Sequence, residues 1–82
     1  MDTYKKGMLA LSKAGHDAGR IYVIIDADEA YIYLADGRIR TLDKLKKKKR
    51  KHVQLICKEH DITDITDVQI KHILKNWNKE EE

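Results

Sequence analysis

Two groups of residues in this chain have the types and spacing to hold a polyanion. The first is Ser12-Lys13-Ala14-Gly15-His16-Asp17-Ala18-Gly19-Arg20. Its glycines let backbone approach a ligand closely, and Lys13, His16 and Arg20 frame them with positive charge. The second is Lys44-Leu45-Lys46-Lys47-Lys48-Lys49-Arg50-Lys51, in which seven of eight residues are Lys or Arg. Charge at that density neutralises phosphates and positions a nucleic acid without reading its sequence. Like charges held together repel, so an anionic partner would offset their proximity. Plainer readings stand beside both: turn geometry for the glycines, and a solvated loop for the lysines. The composition of Lys46–Lys51 also fits a nuclear localisation signal. Asp17 fits ordering of the turn better than contact with an anion.

Other chemistry is poorly supported. Gly15-His16-Asp17-Ala18-Gly19-Arg20 has three residues between its glycines rather than four, and lacks the Lys-Ser/Thr ending of a phosphate loop. Asp26, Asp28 and Glu29 read as a polar turn. Cys57 and His60 have C-x-x-H spacing, but a zinc site normally needs two such ligand pairs. No pairing supports nucleophilic or acid–base catalysis, so neither an enzyme, a metal nor a cofactor is expected. Cys57 reads as a small buried residue.

The elements that must position these groups come from one domain. The chain has 82 residues with no proline and four glycines, 41% hydrophobic and 38% charged. Net charge is +3 but uneven. Residues 1–60 carry 14 Lys/Arg against 8 Asp/Glu, net +6, and residues 61–82 carry 3 against 6, net −3. The polyanion binder is therefore the N-terminal part. The apolar run Ala30 to Ala35 is too short to span a bilayer, the N-terminus shows no signal-peptide core, and the single Cys57 makes no internal disulfide. A reduced, cytoplasmic protein is expected.

Along the chain, Met8–Lys13 suits a first strand. Arg20–Asp26 is the strongest strand signal, with Ile21, Val23 and Ile25 on one face and Tyr22 and Ile24 on the other. Ala30–Ala35 follows, with Ile32 and Leu34 sharing a face. Asp36-Gly37 predicts a hairpin into a fourth strand, Arg38–Leu42, with Ile39 inward and Arg38 and Arg40 outward. The lysine block is then a loop before a fifth strand, His52–Ile56. The rings of Tyr22, Tyr31 and Tyr33 have the chemistry to stack on bases, with barrel packing as the plainer reading. Thr66-Asp67-Val68-Gln69 has capping-box spacing, and Ile70, Ile73, Leu74 and Trp77 repeat at helical intervals. A helix over about Asp67–Asn78 is predicted, packing through that stripe, with Glu80-Glu81-Glu82 as a fraying acidic tail.

The segment from Gly7 through Ile25 resembles the KOW-bearing barrel of the ribosomal protein L14e group. It is more similar still to small bacterial KOW-domain proteins with an S-K-A-G-x-D-x-G-R loop. The resemblance extends through Asp36-Gly37-Arg38 and the lysine block, over about residues 5–56. The chain departs from it at His16 and Ala18, where such families commonly carry basic residues. Loop contacts are therefore expected to be weaker and pH-sensitive through His16.

The resemblance implies a mainly β fold, a small SH3-like (KOW) antiparallel barrel of about five strands with a C-terminal α-helix. Residues 1–60 form the barrel with its basic loop, and residues 61–82 pack a helix and acidic tail on the same domain. It also implies a protein that grips structured RNA, with ribosomal RNA as the expected ligand and ribosomal proteins as neighbours. In that picture Lys13, Gly15, His16, Gly19 and Arg20 contribute from one side of a positive face. Lys44, Lys46, Lys47, Lys48, Lys49, Arg50 and Lys51 contribute from the other, with Arg38 and Arg40. The competing expectation is a KOW-type module that docks proteins of the transcription or translation machinery through the helix.

Overall fold

The run Ile21-Tyr22-Val23-Ile24-Ile25, β-branched and aromatic throughout, makes β2, Ile21–Ala27, the longest strand among the described residues. A computed structural model describes residues 4–56 and 58–81. Around β2 it sets β1 (Leu9–Ser12), β3 (Tyr31–Ala35), β4 (Lys46–Lys49) and β5 (Val53–Ile56). A 3₁₀ turn, Arg50–His52, joins β4 to β5, and α1 runs over Asp67–Glu81. The five strands form one open antiparallel sheet in the order β4-β3-β2-β1-β5. Edge strands that are consecutive in sequence and joined by a 3₁₀ turn give the sheet an SH3-like curl, and the expected mainly β class holds.

Each face of the sheet buries its own set of side chains, because successive residues of a strand point to opposite sides. Ala10, Tyr22, Ile24, Ile32, Leu34 and Val53 gather on the inner, concave side, with Tyr4, Met8 and Leu55 packed against them. The register carries a second row across the outer side: Ile56, Leu9, Val23 and Ala35. That row meets Ile70 of α1, flanked by Ile73, Leu74 and Trp77 and by Ile62 and Ile65 of the approach segment. The helical stripe is thus spent on the sheet, as its spacing predicts. Its start is fixed by the expected capping box: the Thr66 amide donates to Gln69 Oε1 at 2.9 Å, and the Gln69 amide donates to Thr66 Oγ1 at 3.3 Å.

Three expectations are corrected. Arg38–Leu42 is not a strand. The Asp36 carboxylate accepts the amides of Arg38 and Arg40, both at 2.9 Å, and the Asp36 and Gly37 amides bond the Arg40 carbonyl. These local bonds use up the backbone groups that a ladder needs. Ile39 consequently lies at the tip of this loop, 68% exposed rather than inward. The fourth strand is instead the lysine block, four residues of which pair with β3. Finally, α1 continues to Glu81, so Glu80 and Glu81 extend the helix rather than fray from Asn78; Glu82 and Cys57 lie outside the described residues.

Candidate nucleic-acid interface

Lysine is a poor strand former, so β4 has to be explained by its neighbours. The register sets Lys46 opposite Leu34 and Lys48 opposite Ile32, on the inner face, and Lys47 opposite Tyr33 and Lys49 opposite Tyr31, on the outer face. The inward pair lay their methylene stems beside core residues and carry their ammonium groups to the rim. An all-lysine edge also guards the sheet against pairing with another chain.

At that rim both inward lysines meet Asp17, from the loop between β1 and β2. Lys48 Nζ lies 2.9 Å from Asp17 Oδ1 and Lys46 Nζ lies 3.3 Å from Oδ2. Lys48 also donates to the Ala14 carbonyl at 2.7 Å. The carboxylate further accepts from Ser12 Oγ at 3.0 Å and from the Tyr22 hydroxyl at 3.3 Å. The side chains of Lys48 and Asp17 are only 10% and 12% exposed. Partial burial works to raise the Asp17 pKa, yet the hydrogen bonds from Lys48, Ser12 and Lys46 more than offset it. They hold the carboxyl well below the usual carboxylate range. Burial first, then the charge and hydrogen bond of Asp17, push the Tyr22 phenol up. Asp17 thus orders the loop, as its chemistry suggests, and does so by tying the loop to β4.

The glycine loop is closed on itself. Gly15 and Gly19 have φ of 85° and 90°, the left-handed region that favours glycine. The Gly19 amide donates to the Ser12 carbonyl at 2.8 Å, the Arg20 amide to Asp17 at 3.0 Å and the Ala18 amide to Gly15 at 3.2 Å. These three amides are therefore committed inside the loop.

One cleft of ≈ 230 Å³ gathers part of the expected site: His16, Arg20, Arg40 and Lys46 line it together with Asp17 and Asp36. Arg38 and Lys44 lie exposed on the connection between β3 and β4, and Lys13 is exposed just after β1. Lys47 and Lys49 project from the opposite face of β4, and Lys51 is exposed on the 3₁₀ turn. Arg50 acts as a clip: its Nε donates to the Asp28 carbonyl at 2.9 Å, and its guanidinium sits 5.0 Å from the Tyr4 ring centroid.

The lysine block is thus divided by the strand pleat rather than presented as one loop. Nothing in the sequence pattern of the block itself signals which lysines turn inward; the signal is only the strand period, once β4 is known to be a strand.

Among the aromatic candidates, Tyr22 is buried and its ring is spent on the core. Tyr31 and Tyr33 are half-buried on the outer face. The Tyr33 hydroxyl donates to Asp28 Oδ2 at 2.9 Å, and the Lys47 ammonium lies 4.2 Å from the Tyr31 ring centroid. The amides of Tyr31 and Ala30 and the Tyr33 hydroxyl hold the Asp28 carboxyl below its ordinary pKa. Among the described residues no three His, Cys, Asp or Glu side chains gather as metal ligands, and no helix is long and apolar enough to cross a membrane.

No protein-family model matches the chain, and no curated protein is similar enough to count as a relative.

Proposed function

We propose that this protein binds RNA by gripping phosphates with the basic side chains that line the β1–β2 loop, the β3–β4 connection and β4. One observation carries the reading. Lys13, Arg20, Arg38, Lys44, Lys49 and Lys51 are all exposed and form no ion pair among the described residues, although the chain holds 14 Asp and Glu. Cations left clear of a comparably large acidic complement are available to an outside polyanion. The resemblance of Gly7 through Ile25 to KOW barrels makes ribosomal RNA the proposed ligand and the cytoplasmic ribosome its setting. The apolar stripe of α1 is occupied by the sheet, which disfavours the protein-docking alternative.

The test is a titration against ribosomal RNA across a salt series. If about four phosphates are neutralised, log K falls against log salt with a slope of roughly −3. Charge reversal at Lys44, Lys49 and Lys51, all clear of the Asp17 cluster, abolishes binding and leaves the thermal melt unchanged. An absence of binding at low salt, or binding without salt dependence, overturns the reading.

A further inference from the structure

We propose that the outer face of β3 and β4 takes one unpaired RNA nucleotide, with Tyr33 stacking the base and Lys47 holding the adjoining phosphate. This rests on the RNA-binding reading above and names the kind of nucleotide that the surface takes.

The outer face is only partly covered. The pleat sends Tyr31, Tyr33 and Ala35 outward along β3, and α1 packs against the Ala35 end of that row. Tyr31 and Tyr33 lie outside the cluster that meets the helix. The Tyr33 ring is held by its hydrogen bond to Asp28, so little side-chain freedom is lost when a base lies on it. Lys47 stands directly opposite Tyr33 on β4, and its ammonium is steadied over the Tyr31 ring. Lys49, opposite Tyr31, adds a second exposed cation along the same edge.

Charge sets the direction of the nucleotide. A bulge after Ile24 brings Asp26 opposite Tyr33 on the other side. The flank toward β2 therefore carries two carboxylates, Asp26 and Asp28, against the single ammonium of Lys6, which lies 3.9 Å from Asp26 in an exposed pair. A phosphate backbone is repelled there and attracted along β4. The base then reaches across Tyr33 from the lysine edge. Bases inside a duplex have both faces covered by their neighbours, so this geometry suits a looped or bulged nucleotide of a structured RNA.

The test compares a short oligouridylate with the same ribose-phosphate chain lacking bases, at matched length and low salt. Base–aromatic stacking predicts that the intact protein binds the oligouridylate roughly 5- to 150-fold more tightly. Tyr33→Leu removes that preference, whereas Tyr33→Phe keeps the ring and retains it. In the wild-type protein the Tyr33 ring proton resonances shift with oligouridylate and not with the base-free chain, a readout that stands if Tyr33→Leu fails to fold. Equal binding of the two polymers, a preference that survives Tyr33→Leu, or unmoved Tyr33 resonances would overturn the proposal while leaving phosphate binding intact. If neither polymer binds, it is the RNA-binding reading itself that fails.

Discussion

Replacing Asp17 by Ala removes the acceptor shared by Lys48, Lys46, Ser12 and Tyr22. Deleting one partner of a buried pair costs about 3–5 kcal/mol, because the other charge is left without compensation. Here the lower end applies. Lys48 keeps its bond to the Ala14 carbonyl, and Lys46 is 24% exposed and can turn to solvent. A loss of about 3 kcal/mol against an unfolding entropy of about 0.17 kcal/mol/K for a domain of this size lowers Tm by about 17 °C. The assay is thermal unfolding followed by circular dichroism at neutral pH. Adding Lys48→Met to Asp17→Ala restores part of the loss, since no ammonium is then stranded.

The pH dependence follows with a fixed sign. The Asp17 pKa is depressed in the folded state, so the unfolded chain binds the extra proton as acid is added. The stabilisation is complete above the unfolded value of about 3.9 and is lost as pH falls below it. The gap between wild type and Asp17→Ala therefore narrows below about pH 4. A loss under about 1 kcal/mol, the range of an exposed pair, would refute the reasoning, as would a gap unchanged at low pH.

Two further substitutions separate causes. Gly37 has φ of 77°, and a Cβ there would run into the Asp67 carbonyl at the start of α1. Gly19 has φ of 90° with nothing within 4 Å of its would-be Cβ. Gly19→Ala should therefore cost only the backbone strain, about 1 kcal/mol, and Gly37→Ala clearly more, as read by the urea midpoints of the two variants. Thr66→Ala removes the hydroxyl oxygen that accepts the Gln69 amide and is expected to cost about 1 kcal/mol in the same denaturation.

Much of the fold was legible because local chemistry and tertiary packing agree in β2, β3 and α1. Ile21 to Ile25 alternate so that both faces are apolar, and both are buried, one against the curled sheet and one against the helix. The Thr66–Gln69 cap and the Ile70-Ile73-Leu74-Trp77 stripe likewise contain their own outcome. The fourth strand was not legible. Arg38–Leu42 has strand alternation behind an Asp-Gly turn, but Asp36 captures its amides locally, and the Leu42 amide is drawn to Asp67 Oδ1 at 2.9 Å. Lys46–Lys49 has no strand pattern at all, since identical side chains cannot show which face is which.

By itself, then, the sequence determined the β character of the N-terminal part, the helix and where it packs, and the basic segments that make RNA the proposed ligand. It placed the charge along the chain but not around the molecule. Only the tertiary structure decided that the lysines form an edge strand, with Lys46 and Lys48 turned to Asp17 and Lys47 and Lys49 to the tyrosine face. The reason is the two-residue period of a strand: pairing with β3 sorts four chemically equal side chains onto two faces, one tied to the loop and one open to a ligand.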